Sequence, residues 1–295
     1  MTQPQIVLVT GVTAQGLGAQ IACMLAMDKS YKVYGTLRSM HKSDAFYEQL
    51  QNAGLSKDSV TLIPLDVTQP DSCQQCVETI LAKEKRIDVL INNAGAGFAQ
   101  TLEFGRMENV YNCFETNYFG PYRMMKLVVP GMRQQMYGRI INIASIGGIV
   151  GQPFNEAYCG AKAALDSLGE SSNATLAAFN VRVGTFCPGA MASNFIAQAS
   201  KTPIDIGEPY QELYAPYAAR IELVFGSPQF QKYLQSTKEA ATDVIDMLRV
   251  LNAKSCLGCR KITKQAQAFA DLKFKDQSGH LLVSHFHNSL KPSSV

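Results

Sequence analysis

No apolar run in this chain approaches the roughly 18 residues that a membrane span requires, so no transmembrane helix is expected. Charge is scarce and balanced. Only 17% of residues are charged, 27 basic against 24 acidic, and a net charge of +3 argues against a surface built for nucleic acid or another polyanion. The first five residues carry neither basic groups nor an apolar core, so no signal peptide is expected. Eight cysteines in 295 residues do not make a disulfide scaffold and favour a reducing compartment, so the expected location is cytoplasmic. Histidine is rarer still, with four. What remains is 46% hydrophobic, which excludes a disordered chain, a coiled coil or a low-complexity scaffold. No internal repeat is present.

Short β-branched apolar runs recur along the first 190 residues: Ile6 to Val9, Val33-Tyr34, Val60 to Ile63, Ile87 to Ile91, Ile140 to Ile143 and Val181 to Val183. Runs this short, apolar on both faces, suit strands of a parallel sheet buried under helices on each side. Between them lie helical spacings. Leu17, Ile21, Met24, Leu25 and Met27 share one broad face over 16–28, and Cys73, Val77, Ile80 and Leu81 share another over 71–84. Strand and helix alternating at this pitch predict right-handed crossovers and an α/β, doubly wound, Rossmann-like parallel sheet with helices on both faces. No compositional break divides the first 190 residues, so a single domain spanning 1–295 is expected. Its core would be 5–189. An irregular, aromatic-rich segment would follow at 190–233, either a substrate lobe covering an apolar ligand or a loosely packed surface lobe, then a helix over 237–251 and a tail without a clear pattern.

Chemistry-bearing residues fall at the ends of these strands. The first runs into Thr10-Gly11-Val12-Thr13-Ala14-Gln15-Gly16-Leu17-Gly18, where glycines let a diphosphate approach the backbone and the following helix offers unpaired N–H groups. A ribose-binding acid is expected about 20 residues further on if the cofactor is NAD. Residues 34–43 contain no acid but do contain Arg38, whose guanidinium suits a 2′-phosphate, so NADP(H) is favoured. The Tyr-x-x-x-Lys spacing occurs twice, at Tyr122–Lys126 and Tyr158–Lys162, and puts both side chains on one helix face. Only the second has a serine, Ser145, 13 residues upstream at the end of a buried strand.

Taken together, these residues resemble the short-chain dehydrogenase/reductase family. The resemblance runs in order through the glycine turn, Asp66-Val67, Asn92-Asn93-Ala94-Gly95, Thr116-Asn117, Ser145, Tyr158 to Lys162 and Pro188-Gly189. More narrowly, Val33 to Arg38, Gln152 to Tyr158 and Asp276 to Gly279 resemble the branch that contains type 1 17β-hydroxysteroid dehydrogenase and photoreceptor-type all-trans-retinol dehydrogenase. The resemblance implies a catalytic set of Asn117, Ser145, Tyr158 and Lys162. Tyr158 would exchange a proton with the substrate oxygen, and Ser145 would orient that oxygen. Lys162 would hold the nicotinamide ribose and lower the phenol pKa. Asn117 would anchor a relay water. The cofactor would further meet Gly11, Thr13, Gly16, Leu17, Gly18, Arg38, Asp66, Val67, Asn93, Ala94, Gly95, Pro188, Gly189 and Ser193. A homodimer is implied by the same resemblance.

Some features depart from that pattern or lead elsewhere. Four residues rather than three separate Gly11 from Gly16, so the turn is one residue longer. Arg220 and Ser289 stand near the places where oestradiol-forming relatives carry a His and a Glu, so oestrogen specificity is not expected. The Cys73/Cys76 and Cys256/Cys259 pairs lie too far apart in sequence for a zinc site, and no metal is expected. His285 and His287 read as surface or pocket-edge residues rather than ligands, and the Asn173-Ala-Thr175 sequon reads as chance. The expected activity is NADP(H)-dependent interconversion of a carbonyl and an alcohol on a small lipophilic substrate, retinoid-like or steroid-like. The alternatives are a fatty-acyl or xenobiotic carbonyl reductase, or a non-catalytic dinucleotide-binding regulator. No nucleic-acid partner is expected, and peripheral membrane contact stays open.

Overall fold

The computed structural model describes residues 3–97, 99–192, 207–215, 234–252, 259–264, 266–276, 278, 281 and 283–285. Its centre is a seven-stranded parallel sheet. The strands are β1 (Gln5–Val9), β2 (Tyr31–Leu37), β3 (Val60–Pro64), β4 (Val89–Asn92), β5 (Gly138–Ile143), β6 (Val181–Cys187) and β9 (Cys259–Ile262), in the order β3-β2-β1-β4-β5-β6-β9. A two-residue parallel ladder, β7 (Met191–Ala192) with β8 (Gln235–Ser236), lies apart from it. Val7 of β1 pairs with Val33 on one side and Val89 on the other, so the strand order reverses direction at β1. That reversal opens a crevice at the carboxyl ends of the strands, the usual ligand position in such sheets.

Alternation along the strands explains why both faces are covered. Val7 and Val9 join the core beneath α1 (Leu17–Ala26), α2 (Ser43–Asn52) and α7 (Thr237–Asn252). Ile6 and Leu8 join the opposite core, beneath α3 (Pro70–Glu84) and α5 (Gly120–Gln134). Burying a Val, Leu or Ile contributes about 1.5–3 kcal/mol each, so continuously apolar strands are what this two-sided arrangement demands. Pro70 opens α3, where its missing N–H costs nothing, and Lys85 closes it in a left-handed conformation at φ 64°.

The helices expected over 16–28, 71–84 and 237–251 are observed as α1, α3 and α7. The fourth strand begins at Val89, not Ile87, because Asp88 turns inward to accept the Ile6 N–H at 2.8 Å and the Arg86 guanidinium. The tail supplies two further elements, β9 at the sheet edge and α8 (Gln267–Lys275). Of the expected substrate lobe, residues 190–192 and 207–215 are described. Residues 208–215 are helical, with Tyr214 edge-on to Phe154 and the Tyr210 hydroxyl 3.0 Å from Glu103 Oε2. Among the described residues, no helix is long and apolar enough to cross a membrane.

Candidate active site

The glycine turn is held from outside by two threonines and an asparagine. Thr10 Oγ1 accepts the N–H groups of Asn93 (3.0 Å) and Ala94 (2.9 Å), which ties β1 to the loop after β4. Asn93 Nδ2 returns hydrogen bonds to the carbonyls of Thr10 (2.9 Å) and Gly11 (2.8 Å). Thr36, at the end of β2, takes the Gly11 N–H on its hydroxyl and the Val12 N–H on its carbonyl. Thr10 opens the turn read from the sequence, whereas Thr36 is not singled out there, since a lone threonine at a strand end carries no spacing signal.

Two glycines leave the room a ligand needs. Gly11 stands at φ +75°, and a Cβ there would meet the Ala94 backbone at 2.9 Å. At Gly18 a Cβ would lie 2.3 Å from Asn93 Nδ2 and 2.6 Å from the Gly11 carbonyl. Gly16 caps α1 without a side-chain hydrogen bond, and the first turn holds no acid, so the helix presents bare N–H groups and positive dipole. The additional residue of the turn is absorbed by Gln15. It adopts a left-handed backbone at φ 63° and donates its N–H to Gln49 Oε1 at 2.7 Å, while the Gly16 N–H closes back on the Thr13 carbonyl. This cradle fits a dinucleotide diphosphate.

The remaining predicted cofactor positions lie at the same edge of the sheet. Arg38 is exposed just beyond β2 and, among the described residues, no carboxylate forms an ion pair with it. Asp66 and Val67 follow β3, with the Asp66 carboxylate accepting the Thr68 N–H and hydroxyl. Gly95 lies against Asn117 and Lys162: a Cβ there would be 3.0 Å from Asn117 Oδ1 and 3.5 Å from Lys162 Nζ. The Pro188 carbonyl accepts the Ile146 N–H, and the Gly189 N–H donates to Thr263 Oγ1 at 3.1 Å. Thr263 follows β9, so the tail buttresses the turn after β6 from 74 residues away. Ser193, Arg220, Ser289, His287 and Cys256 lie outside the described residues.

Ser145, Tyr158 and Lys162 converge. Ser145 leaves β5 in an extended conformation and caps a short turn by accepting the Gly147 N–H at 3.0 Å. A Cβ at Gly147 would meet Ser145 Oγ at 3.4 Å and Tyr158 Cε1 at 3.5 Å, so the two side chains flank one spot. Tyr158 and Lys162 stand one turn apart on α6 (Glu156–Leu176), with Lys162 Nζ 5.7 Å from the Tyr158 ring centre. Lys162 is 4% exposed and donates to the Ile143 carbonyl at 2.9 Å. Burial lowers its pKa to about 8. The phenol departs from expectation. Its pKa is raised rather than lowered, because burial outweighs the opposing hydrogen bond from Ser145.

Asn117 completes the group from a π-turn, Glu115–Phe119, between α4 (Met107–Phe114) and α5. Such wide turns recur at functional sites. Fully buried, Asn117 donates from Nδ2 to the carbonyls of Ala96 and Cys113, both at 3.0 Å, and accepts the Ala96 N–H at 3.3 Å. The discounted features stay apart from this site. Cys73 and Cys76 are buried in the α3 core, and His285 is exposed against Phe269. Buried Asn173 accepts the Val183 N–H at 2.8 Å, which leaves no room for a glycan.

The chain matches a family model described as short chain dehydrogenase over residues 5–203. Retinol dehydrogenase 8 of Homo sapiens is 30% identical over 298 residues, covering 97% of this chain and 90% of its own. The 17-beta-hydroxysteroid dehydrogenase type 1 of Mus musculus is 36% identical over 197 residues, 65% of this chain and 56% of that protein. A solved short-chain dehydrogenase from Streptomyces avermitilis matches with a TM-score of 0.75 at 26% identity, covering 98% of this chain and 97% of that one. A family match over most of the chain, joined to a diphosphate cradle beside a Ser–Tyr–Lys cluster, makes this protein a member of the short chain dehydrogenase family, oxidoreductases that work with NAD(P)(H).

Proposed function

We propose that the protein is an NADP(H)-dependent oxidoreductase that interconverts a carbonyl and an alcohol on a lipophilic, retinoid-like or steroid-like substrate. The observation that carries this reading is the meeting of the Ser145 and Tyr158 side chains beside Gly147, with the buried Lys162 ammonium one helical turn away. When bound, the dinucleotide supplies or accepts the hydride. Gly11, Gly16, Leu17 and Gly18 would hold its diphosphate, and Asp66 and Val67 its adenine. Asn93, Ala94 and Gly95 would line its cleft, with Pro188 and Gly189 at the carboxamide. The exposed guanidinium of Arg38, with no ion pair among the described residues, favours the 2′-phosphate of NADP over an NAD ribose.

In reduction, Tyr158 gives its phenolic proton to the substrate oxygen as negative charge develops there. Ser145 donates to the same oxygen and orients it. A phenol with a raised pKa and an ammonium near pH 8 are both protonated at neutral pH, the charge state that reduction requires. The reverse reaction needs the phenolate, which the Lys162 charge stabilises and Asn117 helps to connect to solvent. The branch relationship to retinol and hydroxysteroid dehydrogenases supports a lipophilic substrate. We expect the enzyme to work in the cytoplasm as a single-domain homodimer. Among the described residues, Cys23, Cys73, Cys76, Cys113, Cys159 and Cys187 are free and buried, which suits that reducing compartment.

The test is loss of NADPH absorbance with a panel of all-trans-retinal, ketosteroids, long-chain acyl ketones and small xenobiotic carbonyls. Turnover of a retinoid or steroid supports the reading. Turnover of only the acyl or xenobiotic members would reassign the substrate, and NADPH binding without any turnover would make the chain a regulator.

A further inference from the structure

Arg123 sits where two parts of the site meet. It projects from the second turn of α5, the helix that continues directly out of the π-turn holding Asn117. One arm of its guanidinium, Nη1, donates to the Val67 carbonyl at 2.5 Å, and the other, Nη2, donates to Glu115 Oε1 at 2.6 Å. Val67 forms the proposed adenine wall, and Glu115 is the first residue of the π-turn. Gly120 makes the approach possible: a Cβ there would lie 2.9 Å from Val67 Cγ2, so the wall rests on bare helix backbone. The Cys73 thiol shares the Val67 carbonyl at 3.6 Å.

The ion pair is not a stability device. Arg123 and Glu115 side chains are 22% and 34% exposed, and pairs so placed add little to folding. A planar fork that spans a loop carbonyl and a carboxylate fixes geometry instead. We propose that Arg123 is a positioning residue that links the adenine wall at Val67 to the turn carrying Asn117, so that occupancy of the adenosine half of the cofactor site firms the catalytic half. This inference rests on the adenine assignment made above for Val67.

The test is backbone hydrogen exchange on the full chain with and without adenosine 2′,5′-bisphosphate, which lacks the nicotinamide half. In the wild type the ligand slows exchange at 66–68 and also at 115–120. In Arg123→Met the affinity for the ligand stays within about threefold, protection at 66–68 persists and the slowing at 115–120 is lost. Glu115→Ala, at a side chain 34% exposed, is expected to lose the same slowing while keeping the Arg123–Val67 contact. With NADPH, both variants lose kcat more than they raise KM. Slowing at 115–120 that survives in both variants overturns the link, as does a wild type in which the ligand protects neither segment. Wild-type turnover across the carbonyl panel, measured separately, judges the proposed activity independently of either result.

Discussion

Lys162 Nζ donates to the Ile143 carbonyl at 2.9 Å, which pins the ammonium at the end of β5, two residues before Ser145. The strand that delivers the serine therefore also fixes the lysine, whose Nζ lies 5.7 Å from the Tyr158 ring centre. Burial has a cost here. The ammonium titrates near pH 8 instead of its ordinary value of 10.5.

That depression fixes a sign for stability against pH. The folded chain releases the Lys162 proton near pH 8, and the unfolded chain keeps it until near 10.5, so between these values the unfolded state binds more protons. The burial penalty, present in full below pH 8, is relieved progressively as pH rises to 10.5. Wild type is expected to gain stability relative to Lys162→Met over that window, with Tyr158 common to both. Urea midpoints at pH 7 and pH 10 check this. A constant difference between the two proteins would contradict the buried ammonium.

Arg38→Asp is expected to weaken NADPH binding by about 1.5–3 kcal/mol, the range for a charge-assisted contact, and to shift preference toward NADH. Fluorescence titrations with both cofactors measure it. Unchanged NADPH affinity would remove Arg38 from the 2′-phosphate.

Gly18→Ala would force a methyl group into Asn93 Nδ2 and the Gly11 carbonyl. Asn93 would have to abandon its bonds to the turn, and each buried group left unpaired costs about 1–3 kcal/mol. The variant is expected to melt lower and to lose dinucleotide affinity by at least tenfold, about 1.4 kcal/mol. Calorimetry and cofactor titration on the same sample check both effects. Wild-type binding would mean that the turn relaxes freely.

Thr10→Val keeps the shape but removes the acceptor for the Asn93 and Ala94 N–H groups. Two donors next to the cleft lose their partner, at about 1–3 kcal/mol for each that stays buried. Chemical denaturation should show a clear loss, and a neutral result would indicate that water replaces the hydroxyl.

The sheet was legible in the sequence because two-sided burial leaves continuous apolar runs such as Ile6 to Val9. β9 was not, since Cys259-Arg-Lys-Ile262 is half charged. Its Arg260 is neutralised by Asp166 and Glu170, and its Lys261 by Asp243, partners up to 94 residues away. The Ser–Tyr–Lys convergence was readable from spacing once Ser145 distinguished Tyr158 from Tyr122. The π-turn at Asn117 and the brace from Thr263 to Gly189 leave no local pattern, because backbone geometry and distant pairing create them. The raised phenol pKa has a related cause: sequence shows a cation four residues away but not how closely the surrounding chain encloses the phenol.

The central claim is that the Tyr158 hydroxyl moves the proton when a carbonyl is reduced. Single-turnover oxidation of bound NADPH by a carbonyl that the wild type accepts, compared with Tyr158→Phe, tests it most directly. The variant is expected to bind NADPH as the wild type does and to lose the chemical step by about 10²–10⁴-fold. A variant that reduces the carbonyl at the wild-type rate would contradict the claim.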